Sequence, residues 1–326
     1  MNDSALYYSV GALLYSPANN ESIADSIINN KFEKPFSLAL CLEDTIPDNL
    51  VLQAEQICIH SLLKIWNTKA QNEAKQEEHE FYLPKIFIRV RNPEQMLRLY
   101  HNLGELMSLI SGFIVPKFAL DNADAYINNL CTINATSKQP VYMMPIYESS
   151  SIINLKTRYD ILYTLKDKID AVEKWILNIR VGGNDLCHVF GYRRHANESI
   201  HKIKPIASIF SDINTIYGLD YVISGAVWEY FDGFYWEEGL REEIADDKLC
   251  GFIGKTVIHP KQISIVNSEY AVSAADYKSA KAILNWDHSS KTLVSSDPQK
   301  VRMNEYKTHS NWAKKIMLMA KHYGIK

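Results

Sequence analysis

The sequence is short of the features that would place it outside ordinary globular enzymes. Its 326 residues include five cysteines, Cys41, Cys58, Cys131, Cys187 and Cys250, odd in number, far apart and without a C-x-x-C pair. That spacing argues against a disulfide framework or a zinc knuckle and fits a reducing cytoplasm, with most thiols used as small buried apolar groups. Charge of one sign is missing too: 35 basic and 38 acidic side chains leave a formal charge of −3. No nucleic-acid partner is expected from that balance, while a local basic patch around a small anion stays compatible with it. No apolar run approaches ~18 residues, so no membrane span is expected. The apolar start, Ala5–Tyr15, follows Asp3 rather than a basic residue, unlike a secretory signal. Internal repeats are absent, and no G-x-G-x-x-G follows an early strand.

What is present is an alternation of short apolar runs with longer amphipathic stretches. Eight runs read as strands: Val10–Tyr15, Ser37–Leu42, Lys85–Val90, Gly112–Val115, Val141–Ile146, Ile176–Val181, Tyr221–Ser224 and Thr256–Ile258. They are apolar on both faces, as buried parallel strands are. Between them, Leu50–Trp66 and Gln95–Ile110 carry apolar residues at helical spacing. The pattern predicts an α/β fold, a (β/α)8 barrel over residues 1–286; an open doubly wound sheet is the alternative, weakened by the missing glycine fingerprint. Asn67–Glu80 is strongly polar and reads as an exposed helix end or insertion. Residues 287–326 read as a linker followed by an amphipathic helix, His309–Tyr323, with Trp312, Ile316, Met319 and Ala320 on one face. Such a tail would cap the barrel or cross to a neighbouring subunit.

In a barrel the chemistry sits where the strands end. The runs end in Ser16-Pro17, Glu43-Asp44, Arg89 with Arg91, Lys117, Glu148, Gly182-Gly183-Asn184-Asp185, Gly225 and His259-Pro260. Four carboxylates then share one rim with two arginines and a lysine. Magnesium takes one or two protein carboxylates and keeps water or substrate oxygens elsewhere. Glu148 and Asp185 are the candidate metal ligands, and Gly182-Gly183 would let the backbone approach a ligand closely. His259 and His309 read as structural groups, His188 as a residue of the following helix. The aromatic stretch Trp228–Trp236 reads as packing or an interface, with a substrate mouth as the alternative.

These motifs, in order, resemble the citrate lyase beta-chain-like proteins of the HpcH/HpaI aldolase family, which have the phosphoenolpyruvate/pyruvate type of barrel. LCLEDTIP (Leu40–Pro47) is similar to the family's D-L-E-D-A/S-V/I-P, with Cys41 in place of the first Asp. FIRVRNP (Phe87–Pro93), GFIVPK (Gly112–Lys117), MPIYES (Met144–Ser149), GGNDL (Gly182–Leu186) and GFIGKTVIHPKQI (Gly251–Ile263) match further elements. The tail from Met303 through Glu305, Thr308 and His309 to Trp312-Ala313 resembles the branch of predicted carbon–carbon bond lyases associated with tellurium-resistance gene clusters.

The resemblance implies a Mg2+-dependent lyase or aldolase that cleaves or forms a C–C bond beside a carbonyl through an enolate. It implies Glu148 and Asp185 as metal ligands and Arg89 as the group binding the substrate carboxylate or enolate oxygen. Glu43, Asp44, Lys117, Gly182, Gly183 and Asn184 become substrate-site residues, and Glu305 the candidate acid/base of the tail. The implied substrate is a small keto acid or an acyl-CoA built on one, and the implied assembly a trimer or hexamer. A pyruvate-type aldolase acting on an aldehyde and a non-catalytic binding or assembly protein on the same fold are the alternatives.

Overall fold

The structure, a computed structural model, describes residues 4–75, 81–287, 289 and 292–326. Eight parallel strands follow one another in chain order: β1 (Ala12–Pro17), β2 (Ser37–Cys41), β3 (Lys85–Arg89), β4 (Ile110–Val115), β5 (Tyr142–Tyr147), β6 (Ile179–Val181), β7 (Ile223–Ser224) and β8 (Lys255–Val257). Each pairs with its neighbour from β1 to β7, β8 pairs with β1, and a parallel bridge between Gly225 and Lys255 joins β7 to β8. This is the expected (β/α)8 barrel, and the eight runs of the sequence are its eight strands. The register of β1 on β2 sets Leu13 beside Ser37 and Pro17 beside Cys41.

Inside the barrel, Leu13, Ala39, Phe87, Ile114, Met144 and Leu177 form an apolar layer. The outward faces pack under helices α1 (Ala5–Tyr8), α2 (Ile23–Ile28), α3 (Val51–Lys75), α4 (Pro93–Leu103), α5 (Ala123–Thr136), α6 (Leu155–Asp170), α7 (Gly183–Phe190), α8 (Lys204–Tyr217), α9 (Trp236–Leu249) and α10 (Lys261–Tyr270). Two-sided burial is why the strands read as continuous apolar runs. Asn92 caps α4 by accepting from the Gln95 amide at 2.8 Å, with Pro93 at the first helical position. The expected helix Gln95–Ile110 ends early: Gly104 takes φ 52°, a short 3₁₀ segment runs to Leu109, and Ile110 already belongs to β4. α3 carries the polar stretch on to Lys75; residues 76–80 lie outside the described residues.

The tail is more structured than a linker. Strands β9 (Val294–Ser296) and β10 (Met303–Glu305) pair antiparallel, and Asp297 accepts from the amides of Val301 and Arg302 to close their turn. Helix α11 (Ala274–Leu284) lies against α12 (Tyr306–Tyr323) through a separate cluster of Ala280, Ile283 and Ala313. The far end of α12 closes the N-terminal mouth of its own barrel. There Tyr323 stacks on Tyr270 at 5.3 Å, and a Cβ built on Gly254 would lie 3.4 Å from the Tyr323 hydroxyl. No described helix is long and apolar enough to cross a membrane.

A buried ionic cluster ties α9 to the barrel. Lys255 Nζ contacts Asp247 at 2.7 Å and Glu243 at 3.0 Å, and His201 Nε2 contacts Asp247 at 2.8 Å. Burial works against the His201 cation, but the hydrogen bond to Asp247 wins and raises the imidazole to about 9. A histidine raised above its ordinary ~6.5 binds its proton more tightly in the folded state. Its contribution, on the order of 3 kcal/mol, is complete below about pH 6.5 and is lost as pH rises through about 9. We expect the urea midpoint to fall between pH 7 and pH 9.5, and His201→Gln to flatten that dependence; an equal slope in both proteins would contradict it.

Candidate active site

The C-terminal ends of the strands enclose a cavity of about 210 Å³, whose lining includes Arg89, Glu148, Arg180, Gly182, Asp185 and Thr256. Strand β3 delivers Arg89, the residue after β5 is Glu148, and the first turn of α7 carries Asn184 and Asp185. Arg89 Nη2 lies 2.7 Å from Glu43, 2.9 Å from Asp44 and 3.4 Å from Glu148. Lys117 Nζ contacts Glu43 and, at 3.2 Å, Asp44, and stands 3.9 Å from Asp185. Its backbone amide donates to Glu148 Oε1 at 3.0 Å, with Lys117 itself at φ 48°. A left-handed lysine is strained, and here the strain aims that amide into the site.

Burial raises Glu148, with Asp185 adding to it, so that its carboxyl stands at about 8 despite Arg89 and the Lys117 amide. Burial also raises Glu43 against the pull of Arg89. At Asp44 burial is outweighed by the hydrogen bond with Glu43 and by Arg89 and Lys117, leaving it below the usual carboxylate range. Arg89 and Lys117 are both desolvated, yet the surrounding anions hold each firmly in its charged form. The site is therefore a set of carboxylates concentrated around fixed cations.

Gly182 is dictated by contact. A Cβ there would lie 2.1 Å from Glu148 Oε2, so a side chain would displace the carboxylate. Gly183 is similarly closed in, by Ile200 at 2.4 Å. The donor set suits a hard cation: two adjacent carboxylates, Glu148 buried and Asp185 partly open, with no thiol or imidazole among the described residues that line the cavity. Among the described residues no group of three or more His, Cys, Asp or Glu is placed to hold a metal, so remaining coordination positions would fall to water or substrate oxygens.

The structure brings Arg89, Asp44, Glu148, Gly182, Gly183, Asn184 and Asp185 onto one cavity, with Glu43 and Lys117 behind Asp44. Arg91 turns away and pairs with Asp48. Glu305 is not brought there within one chain. It sits at the start of α12, its amide donating to His309 Nδ1, while the other end of that helix seals the opposite mouth of the barrel. His259 stacks on Phe231 and accepts from the Lys261 amide, and Trp228 is fully buried, whereas Phe234 is exposed. Tyr15, Arg180 and Thr256 also line the cavity and were not singled out by the strand ends. They lie within the strands rather than at their ends, and for Arg180 the polar pair Asn178 and Arg180 in an otherwise apolar run was the one signal. A larger groove, about 570 Å³, is formed around Trp66, Tyr100, Glu105 and Gln139 by α3 and the segments that precede β4 and β5, away from this rim.

Solved structures share the fold. One is the protein CitE from Mycobacterium tuberculosis in complex with magnesium, acetoacetate and coenzyme A, with TM-score 0.61 and 16% identity over 97% of this chain and 99% of that one. RipC from Yersinia pestis matches with TM-score 0.55 and 18% identity over 83% and 99%. The citrate lyase beta subunit from M. tuberculosis complexed with oxaloacetate and magnesium matches with TM-score 0.52 and 16% identity over 82% and 99%. Among curated proteins, a (3S)-malyl-CoA thioesterase of Cereibacter sphaeroides is 42% identical over 50 residues, which span 15% of this chain and only 18% of that protein. The family described as C-C bond lyase of the TIM-barrel fold matches residues 4–325, and with nearly the whole chain covered, this protein belongs to that lyase family.

Proposed function

We propose that the protein is a Mg2+-dependent carbon–carbon lyase or aldolase acting on a small keto acid, or on an acyl-CoA whose reacting end is such an acid. The observation that carries this is the meeting of Glu148, Asp185 and Arg89 on one cavity of about 210 Å³. Glu148 and Asp185 would hold the ion. When bound, it would supply a Lewis acid for the carbonyl oxygen, an effect worth several kcal/mol. The rest falls to the chain. Arg89, fixed by three carboxylates, offers its remaining donors to a substrate carboxylate or to the oxygen on which charge develops. Lys117 orients Glu148 through its amide and neutralises Glu43 and Asp44 through its ammonium. The names of the structural relatives, bound to magnesium with oxaloacetate or with acetoacetate and coenzyme A, support this substrate class.

An enolate route makes the carbon next to the carbonyl exchange its protons with solvent even without the second substrate. Deuterium incorporation into the methyl group of pyruvate, followed by NMR, should therefore depend on the enzyme and stop on chelation. No enzyme-dependent exchange with pyruvate or oxaloacetate would count against the free keto acid as the enolate-forming partner.

Proton transfer to or from the hydroxyl of the bond being cleaved needs a base. We assign it to Glu305 acting from a second copy of the chain, since within one chain Glu305 does not line the rim cavity. Glu305→Gln and Asp185→Asn should each be inactive alone, and a mixture of the two, refolded together, should recover up to about one quarter of the activity through hybrid sites. A mixture as inactive as its parts would place the base elsewhere.

A further inference from the structure

Two arginines line the cavity, and they are in opposite situations. Arg89 is matched by Glu43, Asp44 and Glu148. Arg180, one layer deeper on β6, is 1% exposed and has no carboxylate partner among the described residues. Its partners are neutral: it donates to Thr256 Oγ1 at 2.5 Å and Asn178 Oδ1 at 3.4 Å, with the Tyr15 hydroxyl also beside it. The Asn178 amide nitrogen beside it is buried with no hydrogen-bond partner. Below lies Tyr323, whose hydroxyl is also buried and unpaired. A buried guanidinium without an anion is costly, and proteins seldom retain one in a barrel core unless something compensates its charge. Below this level the described residues around Arg180 are apolar side chains and neutral tyrosines, with no carboxylate paired to it. The compensation can enter only through the cavity that Arg180 and Thr256 line.

We infer that Arg180 makes the floor of this cavity a seat for a carboxylate, so that the molecule bound at the rim is a dicarboxylate whose second acid group points down the barrel. This rests on the rim being a site for a small oxo acid, and it adds what lies at the other end of that acid. Thr256 and Asn178 hold the guanidinium in orientation from the protein side. A planar fork aimed at a carboxylate is the arrangement arginine serves best. The expected selectivity is for 2-oxo diacids over 2-oxo monoacids of equal length.

The test is calorimetric binding of matched pairs that differ only in methyl against carboxylate at the far end: 2-oxobutyrate with oxaloacetate, and 2-oxovalerate with 2-oxoglutarate. Each is titrated with and without Mg2+ into the wild type, Arg180→Met and Asp185→Asn. The wild type should prefer at least one diacid by about 10- to 100-fold, the range of a charge-assisted pair. Arg180→Met should lose that preference while the monoacid binds within about 2-fold of the wild type. A diacid preference that survives in Arg180→Met, or that is absent in the wild type, overturns the inference. Loss of Mg2+ dependence with the preference intact would instead remove the metal assignment and leave the Arg180 seat standing. Should Arg180→Met fail to fold, Thr256→Val must reduce the preference by about 3-fold or more, and an unchanged preference in that variant overturns the inference equally.

Discussion

Arg89→Lys should slow Mg2+-dependent deuterium exchange by about 100- to 1,000-fold with the barrel intact, the size of effect seen when one donor to a developing oxyanion is removed. Lysine keeps the charge but not the planar fork that now meets Glu43, Asp44 and Glu148 together. Arg89→Met goes further. It leaves three carboxylates facing one another in a mostly buried site with only Lys117 to balance them, and breaking a buried pair in this way costs about 3–5 kcal/mol of stability. The two variants separate chemistry from folding: the lysine variant should melt near the wild type and fail in exchange, and the methionine variant should fail in both. Equal exchange rates in wild type and Arg89→Lys would remove Arg89 from the chemistry.

Glu148→Gln is expected to weaken Mg2+ binding by at least about 100-fold and to abolish exchange, because it removes the one fully buried carboxylate of the donor pair. The amide oxygen of glutamine can still accept from the Lys117 amide, so the local backbone should hold. Burial, which raises the Glu148 carboxyl to about 8, gives the substitution a second consequence. Near neutral pH the metal-free wild type carries a proton on Glu148 for most of the time, so the glutamine variant should be at least as stable as the metal-free wild type at pH 7. Chemical denaturation in the presence of chelator measures this, and a clearly less stable variant would mean that the charge of Glu148 stabilises the fold rather than waiting for a ligand.

The strands of this fold were legible because each is buried on both faces, so hydrophobicity alone marks them. Their ends were legible for the opposite reason: a charged residue directly after a buried strand must point at open space, and in a barrel all such spaces are one. Arg180 escaped that logic. It lies inside a strand, where the polar pair Asn178 and Arg180 interrupts an apolar run without telling a barrel core from a strand edge. The tail escaped for a different reason. Val294–Ser296 is exposed and short, and its pairing with Met303–Glu305 depends on the turn closed by Asp297 rather than on apolar periodicity. Glu305 was readable as a residue of the family's tail, but where a tail packs depends on contacts distant in sequence. In this chain the contacts of Tyr323 with Tyr270 and of Ala313 with Ala280 and Ile283 anchor it away from the rim. Gly104, by contrast, shows a local signal that periodicity overrode, since leucines continue at helical spacing beyond the point where the backbone turns to φ 52°.

Everything proposed for the rim depends on Glu148 and Asp185 forming a divalent cation site that a 2-oxo acid completes. Calorimetric titration of Mg2+ in the presence of oxaloacetate or pyruvate, into the wild type and into Asp185→Asn, tests it most directly. Metal and acid should strengthen each other's binding in the wild type, and both should be lost in the variant. Binding of neither metal nor acid to the wild type, or the same titration in both proteins, would contradict it and favour a barrel whose rim no longer turns over a substrate.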